Sequence, residues 1–129
     1  MDLVEAVDKL TQGDYSGTAE IARMFAEFID DDRVSLNNAI NGKCHKGLRQ
    51  AIKERRWRFH IAQAVRLIDH AGATNHSLAV TLHNGFSRLE RSARAPVTPL
   101  GKALAAAIAA HPGGGTSVQA LSVVVAAVR

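Results

Sequence analysis

The chain has 129 residues, 47% apolar and 22% charged, with a net charge of +4, enough for one hydrophobic core and too ordinary in composition for wholesale disorder. It has no apolar run of about eighteen residues and no basic stretch leading into an apolar one, so neither a membrane span nor a secretory signal is expected. A lone cysteine, Cys44, excludes an internal disulfide and agrees with a cytoplasmic setting.

The charges are unevenly placed. Residues 1–42 carry nine acids against three bases, a net −6, whereas residues 43–129 carry thirteen bases against three acids, a net +10. Such asymmetry suggests a face that seeks a polyanion, or two halves of the chain that pair with each other.

In chain order, Leu3, Val4, Val7 and Leu10 space apolar groups for a short amphipathic helix that Gln12-Gly13-Asp14 would stop. Ile21, Met24, Phe25, Phe28 and Ile29 follow the i, i+3, i+4, i+7, i+8 pattern of one buried stripe, with Ser16 or Thr18 as its cap. Asp30, Asp31 and Asp32 oppose the helix dipole and should end it. A short helix over 34–41 follows, closed by Asn41-Gly42 in a left-handed cap. Leu48 and Ile52 begin one stripe and Trp57, Ile61, Ala64, Val65 and Ile68 form another, giving one long bent helix or two joined near Arg55.

Residues 71–75 read as a linker, with Ser77 a cap for the next element. Residues 78–91 fit either a helix, through Leu78, Leu82, Phe86 and Leu89, or a β-hairpin turning at Asn84-Gly85; the helix is favoured. Thr98-Pro99 opens a helix over 100–110, which His111 to Gly115 ends. Thr116 and Gln119 at capping-box spacing open a last helix burying Val118, Leu121, Val125 and Val128. The expected fold is therefore all-α, a single compact multi-helix domain. Within it, residues 1–70 should hold a helix-turn-helix-like pair and a basic helix, and residues 77–129 a helical packing or dimerisation element.

Helices over 18–28 and 34–41, then Gly42-Lys43 and a basic helix, resemble the helix-turn-helix of lambda-repressor-like (Cro and repressor type) DNA-binding domains. The resemblance rests on Ala22 or Ala26, on Ser35-Leu36-Asn37-Asn38-Ala39-Ile40 and on Asn41-Gly42-Lys43, and covers residues 18–56. It implies that Ser35, Asn37, Asn38 and Asn41 face bases, since asparagine's paired donor and acceptor match the adenine edge. It also implies that Lys43, Lys46, Arg49, Lys53 and Arg56 neutralise phosphates. The chain departs from the family at the turn, where Ile29-Asp30-Asp31-Asp32 stands in place of a small residue. These carboxylates would repel phosphate unless they point away or are neutralised by Arg33.

Other chemistry is poorly supported. Trp57, Phe59 and His60 could stack single-stranded bases, but Trp57 leads an apolar stripe and reads as a core anchor. The six histidines (45, 60, 70, 76, 83 and 111) show no zinc-finger or HExxH spacing; only His76 and His83 would share a helix face. Gly113-Gly114-Gly115-Thr116 matches no phosphate-loop pattern and reads as a connector. No nucleophile motif surrounds any serine or Cys44. The expectation is a DNA-binding transcriptional regulator of phage or plasmid type, DNA being favoured over RNA, acting as a homodimer without cofactor, metal or catalysis. The alternative is a helical protein-interaction module, an inhibitor or adaptor.

Overall fold

In the computed structural model the described residues are 1–41 and 47–129, with Asn41 described by its backbone alone. The expectations for Gly42, Lys43, Cys44, His45, Lys46 and the Asn41 side chain lie outside them. Every regular element among the described residues is helical: α1 (Leu3–Thr11), a 3-10 turn (Tyr15–Gly17), α2 (Thr18–Asp30), α3 (Leu36–Asn41), α4 (Leu48–Ile68), α5 (Asn75–Arg91), α6 (Pro99–Ala110) and α7 (Val118–Val128). The contacts divide the chain into two units, Met1–Arg55 and Arg56–Arg129, with the boundary inside α4.

In the first unit, Asp2 caps α1 by accepting the Glu5 N–H at 2.8 Å. The helix ends as expected at Gly13, whose positive φ of 81° lets the Gly13 and Asp14 amides turn back onto the carbonyls of Leu10 and Lys9. The capping of α2 differs from expectation. Neither Ser16 nor Thr18 caps it; the N-cap is Gly17, and Asp14 instead caps the preceding 3-10 turn through the Ser16 amide. Gly17 is required there because a Cβ would lie 2.5 Å from the Ala6 Cα. Ala6 is itself fully buried, so two small residues set the close approach of α1 to this turn.

The core of this unit is small: Leu3, Met24 and Ala39 are buried, with Val7, Ile21, Val34 and Ile40 packed around them. The α2 stripe is only half covered. Met24 is 5% exposed, but Phe25 is 43%, Phe28 37% and Ile29 70% exposed, which corrects the expectation of one buried stripe. The periodicity places these residues on one side of the helix, yet the neighbours α1 and α3 reach only the Met24 edge of it. α3 begins two residues later than expected, at Leu36, because the Ser35 side chain accepts the Asn38 N–H at 3.1 Å and caps it.

The second unit has the larger core, in which Ile61, Ala64, Leu82, Phe86, Leu104, Ala107, Leu121 and Val125 are at most 1% exposed. Burying each large side chain of this kind contributes about 2 kcal/mol. α4 is one helix through Arg55, not two. α5 packs on both α6 and α7. The hairpin alternative for 78–91 is overturned: Asn84-Gly85 lies within α5, and Leu78, Leu82 and Phe86 share its buried face. The α5 cap is Thr74, with Ser77 as its reciprocal partner in a capping box. Thr98 and Pro99 open α6 as expected. α7 is capped one residue later than expected, by Ser117 accepting the Ala120 N–H at 3.1 Å.

Trp57, 4% exposed, organises this core. Its indole stacks on Phe86 with centroids 5.5 Å apart and meets the edge of His111 at 6.1 Å. The glycine-rich link between α6 and α7 folds over the ring, and a Cβ on Gly114 would lie 2.7 Å from three of its atoms. His83 Nδ1 lies 2.7 Å from the Thr116 carbonyl oxygen and fixes the far end of the link to α5. Arg129 joins three further positions: its guanidinium forks onto Asp69 with two contacts of 3.1 Å, and reaches the Ala73 carbonyl at 2.6 Å and Asn75 Oδ1 at 3.1 Å.

Candidate nucleic-acid interface

The helix pair α2 and α3 forms a seat for the expected base-contacting residues. Ala39, 6% exposed, packs with Met24, and this turns the opposite side of α3 outward. Ser35, Asn37 and Asn38 are all exposed. The Ser35 hydroxyl oxygen accepts the α3 cap bond, so its geometry is fixed by the helix it starts, whereas no hydrogen bond holds either asparagine side chain among the described residues. Asn37 and Asn38 therefore offer their full amide edges to solvent.

The expected phosphate-contacting residues divide along the chain. Arg49 is exposed and Lys53 half-buried on the first two turns of α4, in the first unit. Neither has a carboxylate partner among the described residues. Arg56, half-buried, begins the second unit. Lys43 and Lys46 lie outside the described residues, as does the stretch 42–46 between α3 and α4; among the described residues no hydrogen bond joins Asn37 or Asn38 to Arg49 or Lys53.

Two of the ion pairs in this unit bear on the candidate interface. Arg55 Nη1 lies 2.7 Å from Asp8 Oδ2, and its Nη2 is 3.5 Å from Glu5. One cation of the basic stretch is thus spent inside the unit on the acidic N-terminal third, which realises at one position the pairing of the two charged regions. Asp8 is the buried charged residue of the described chain, 1% exposed, and needs such a partner because an unpaired buried carboxylate is strongly unfavourable. Sequence reasoning missed this pair; the available signal was an acid set among Leu3, Ala6 and Val7 in a helix this short.

The second pair neutralises a portion of the acidic turn. Arg33 forks onto Asp31, Nε at 3.1 Å and Nη2 at 3.3 Å, while the Arg33 amide bonds the same carboxylate at 3.0 Å. The guanidinium first, and then the amide, hold the Asp31 carboxyl below its ordinary value. Asp14 is lowered likewise by the Ser16 amide at its cap. Asp30 and Asp32 are exposed and have no cation at ion-pair distance among the described residues.

No family model matches this chain, and comparison with curated proteins and with solved structures finds no match to it.

The other sequence candidates resolve by burial. Trp57 is enclosed in the core, so it cannot present a face to a nucleic-acid base; Phe59, 56% exposed, remains at the surface against the edge of His60. Gly113 to Gly115 serve as the connector over Trp57. Among the described residues no three histidine, cysteine or acidic side chains are grouped to hold a metal ion, and no helix is long and apolar enough to cross a membrane.

Proposed function

We propose that the chain is a DNA-binding regulator that acts by occupying a site, with α3 presenting Asn37 and Asn38 to base edges and Arg49 and Lys53 of α4 contacting phosphates. The observation that carries this reading is the outward side of α3, where two unengaged asparagines stand on a helix seated against α2 through Ala39 and Met24. Asparagine in that setting matches the adenine edge in the major groove. The Arg33–Asp31 pair supports it by removing one of the three charges that would repel phosphate. Asp30 and Asp32 then require the C-terminal end of α2 to point away from the duplex. Dimerisation through α6 and α7 would pair two such helices on a palindromic site. α7 carries no charge between Val118 and Val128, and Val123 is 69% exposed.

The test is a mobility shift of the full chain on mixed-sequence DNA over a salt series. Binding should fall steeply with salt, and Arg49→Glu with Lys53→Glu should weaken it on all sequences and flatten the slope. Absence of any salt-dependent complex would exclude the reading.

One observation favours a second reading, a protein-interaction module. Phe25, Phe28 and Ile29 form an exposed apolar surface on α2 that its own unit does not cover. On this reading substitution of those three residues abolishes partner binding, whereas the α4 charge reversals leave it intact.

A further inference from the structure

Between the end of α5, the link formed by residues 92–98 and the start of α6 lies a cleft of about 430 Å³. Leu89, Val97, Leu100 and Leu104 give it an apolar wall. Val97 is 84% exposed, an apolar side chain left at the mouth with nothing over it. The polar side chains at the cleft are Arg88, Ser92, Arg94 and Thr98.

Two of these four are already engaged. The Thr98 hydroxyl oxygen accepts the Gly101 amide as the α6 cap, and Ser92 Oγ accepts the Arg94 amide at 3.2 Å and lies 3.3 Å from the Arg94 carbonyl oxygen. The two guanidinium groups remain as the donors open to an occupant. Neither has a carboxylate partner, and no carboxylate lines the cleft, among the described residues. The surrounding unit reinforces the sign: residues 56–129 carry eight bases against two acids.

Volume, wall and charge restrict what fits. The cleft falls within the roughly 300–1,000 Å³ of small-molecule sites, and such sites pair an apolar lining with a few oriented polar groups. Guanidinium forks match the planar oxygens of carboxylate and phosphate. A cation would meet two like charges; a nucleic-acid phosphate would satisfy the arginines and leave the leucine wall unused. We propose that this cleft binds a small amphiphilic anion, a single carboxylate or phosphate head on an apolar body, with Arg88 and Arg94 holding the head and Leu89, Leu100 and Leu104 the body. None of its residues is among the proposed DNA contacts, so its test is distinct from theirs.

The test is a nuclear magnetic resonance titration of the full chain labelled with ¹⁵N, using decanoate, decyl phosphate, decylammonium and acetate below any micelle-forming concentration. The amides of Gly85 and Gly101, both at the cleft, serve as reporters. Decanoate or decyl phosphate should shift them saturably, and the stronger of the two identifies the head. Decylammonium, with the same tail, and acetate, with no tail, should bind at least about tenfold more weakly. The exposed double variant Arg88→Gln, Arg94→Gln should lose about tenfold in affinity for the anion at unchanged helical circular dichroism. Absence of saturable shifts, equal binding of decylammonium, or undiminished binding by the double variant overturns the proposal. Should the variant lose its helical signal, the comparison of anion with cation on the native chain decides alone.

Discussion

Arg55 and Asp8, forty-seven positions apart, meet at 2.7 Å and tie the first turns of α4 to α1. The Asp8 side chain is 2% exposed and the Arg55 side chain 38%, so water screens the pair mainly from the arginine side. Asp8→Ala or Arg55→Ala should cost the first unit roughly 1–3 kcal/mol, below the full penalty for breaking a buried pair because Arg55 keeps partial hydration. Hydrogen exchange resolved by segment is the measurement: amides of α1 and α2 should exchange faster, and unchanged exchange there would deny the pair its structural role.

The Asp31 carboxyl, held low by Arg33, makes a pH-dependent contribution of definite sign. A depressed folded-state value means stabilisation that is present above the ordinary carboxylate value and is lost as pH falls through the lowered one. A carboxyl titration by nuclear magnetic resonance should place Asp31 below an ordinary aspartate, and Arg33→Ala should return it upward. Asp14 should also titrate low, and it should respond to loss of the 3-10 turn but not to Arg33→Ala, since its cause is the Ser16 amide.

Two neighbouring residues of α2 should respond to different degrees. Met24→Ala removes a side chain that is 5% exposed at the centre of the small core and should cost about 2–4 kcal/mol. Phe25→Glu, at a position 43% exposed, should cost less, about 1 kcal/mol. Thermal unfolding of the two variants checks this.

Gly114→Ala should strain the second unit. The added methyl has Trp57 in its place at 2.7 Å, and the indole cannot yield because Phe86 stacks on its face. The expected cost is about 1–3 kcal/mol, in the range for overpacking a core, with a displaced indole N–H resonance. A native melting temperature would mean that the link yields instead of the ring.

Asn37→Ala and Asn38→Ala should each relax base preference by about 1–3 kcal/mol at one site position while leaving the salt slope of DNA binding unchanged. Selection of bound sequences from a random pool, repeated at two salt concentrations, measures both quantities. Equal loss on every sequence would assign the asparagines to the backbone.

What could be read from the sequence was local. Leu78, Leu82 and Phe86 announced the buried face of α5 at helical spacing, and Thr98-Pro99 announced the start of α6, because both depend on neighbours within a turn or two. Asn84-Gly85 raised the hairpin alternative but did not prevail, because the turn preference of that pair is weaker than the helical context on either side, where Gly85 sits opposite the Leu104 methyl. Phe25, Phe28 and Ile29 show the limit of periodicity: it groups side chains on one side of a helix without saying what stands against them. Arg55 was unreadable as the partner of Asp8: Leu3, Ala6 and Val7 mark Asp8 as an acid among apolar neighbours, but nothing in α4 singles out Arg55. The caps were read unevenly: Thr98 stands where expected, Ser117 caps α7 in place of its neighbour Thr116, Thr74 rather than Ser77 is the N-cap of α5, and α2 starts at Gly17 with no side-chain cap, because backbone geometry selects among adjacent candidates. Of the candidate interface, the outward setting of Asn37 and Asn38 agrees with the spacing of Val34, Leu36 and Ile40, but the buried residue of α3 is Ala39 while Leu36 is 38% exposed, and the neutralisation of Asp31 by Arg33 depends on side-chain geometry that the sequence does not carry.

The placement of Trp57 also has an optical consequence. The chain carries one tryptophan and one tyrosine, and they fall in different units: Trp57 is enclosed in the second, while Tyr15, 69% exposed, stands on the 3-10 turn of the first. Emission excited at the red edge of the absorption band belongs to the indole alone, so it follows the unfolding of α4, α5 and the α6–α7 link and is blind to α1 and α2. The tyrosine difference absorbance follows the other unit. One denaturation series, read at two wavelengths without any label, therefore tells whether the two units unfold in a single step or in succession.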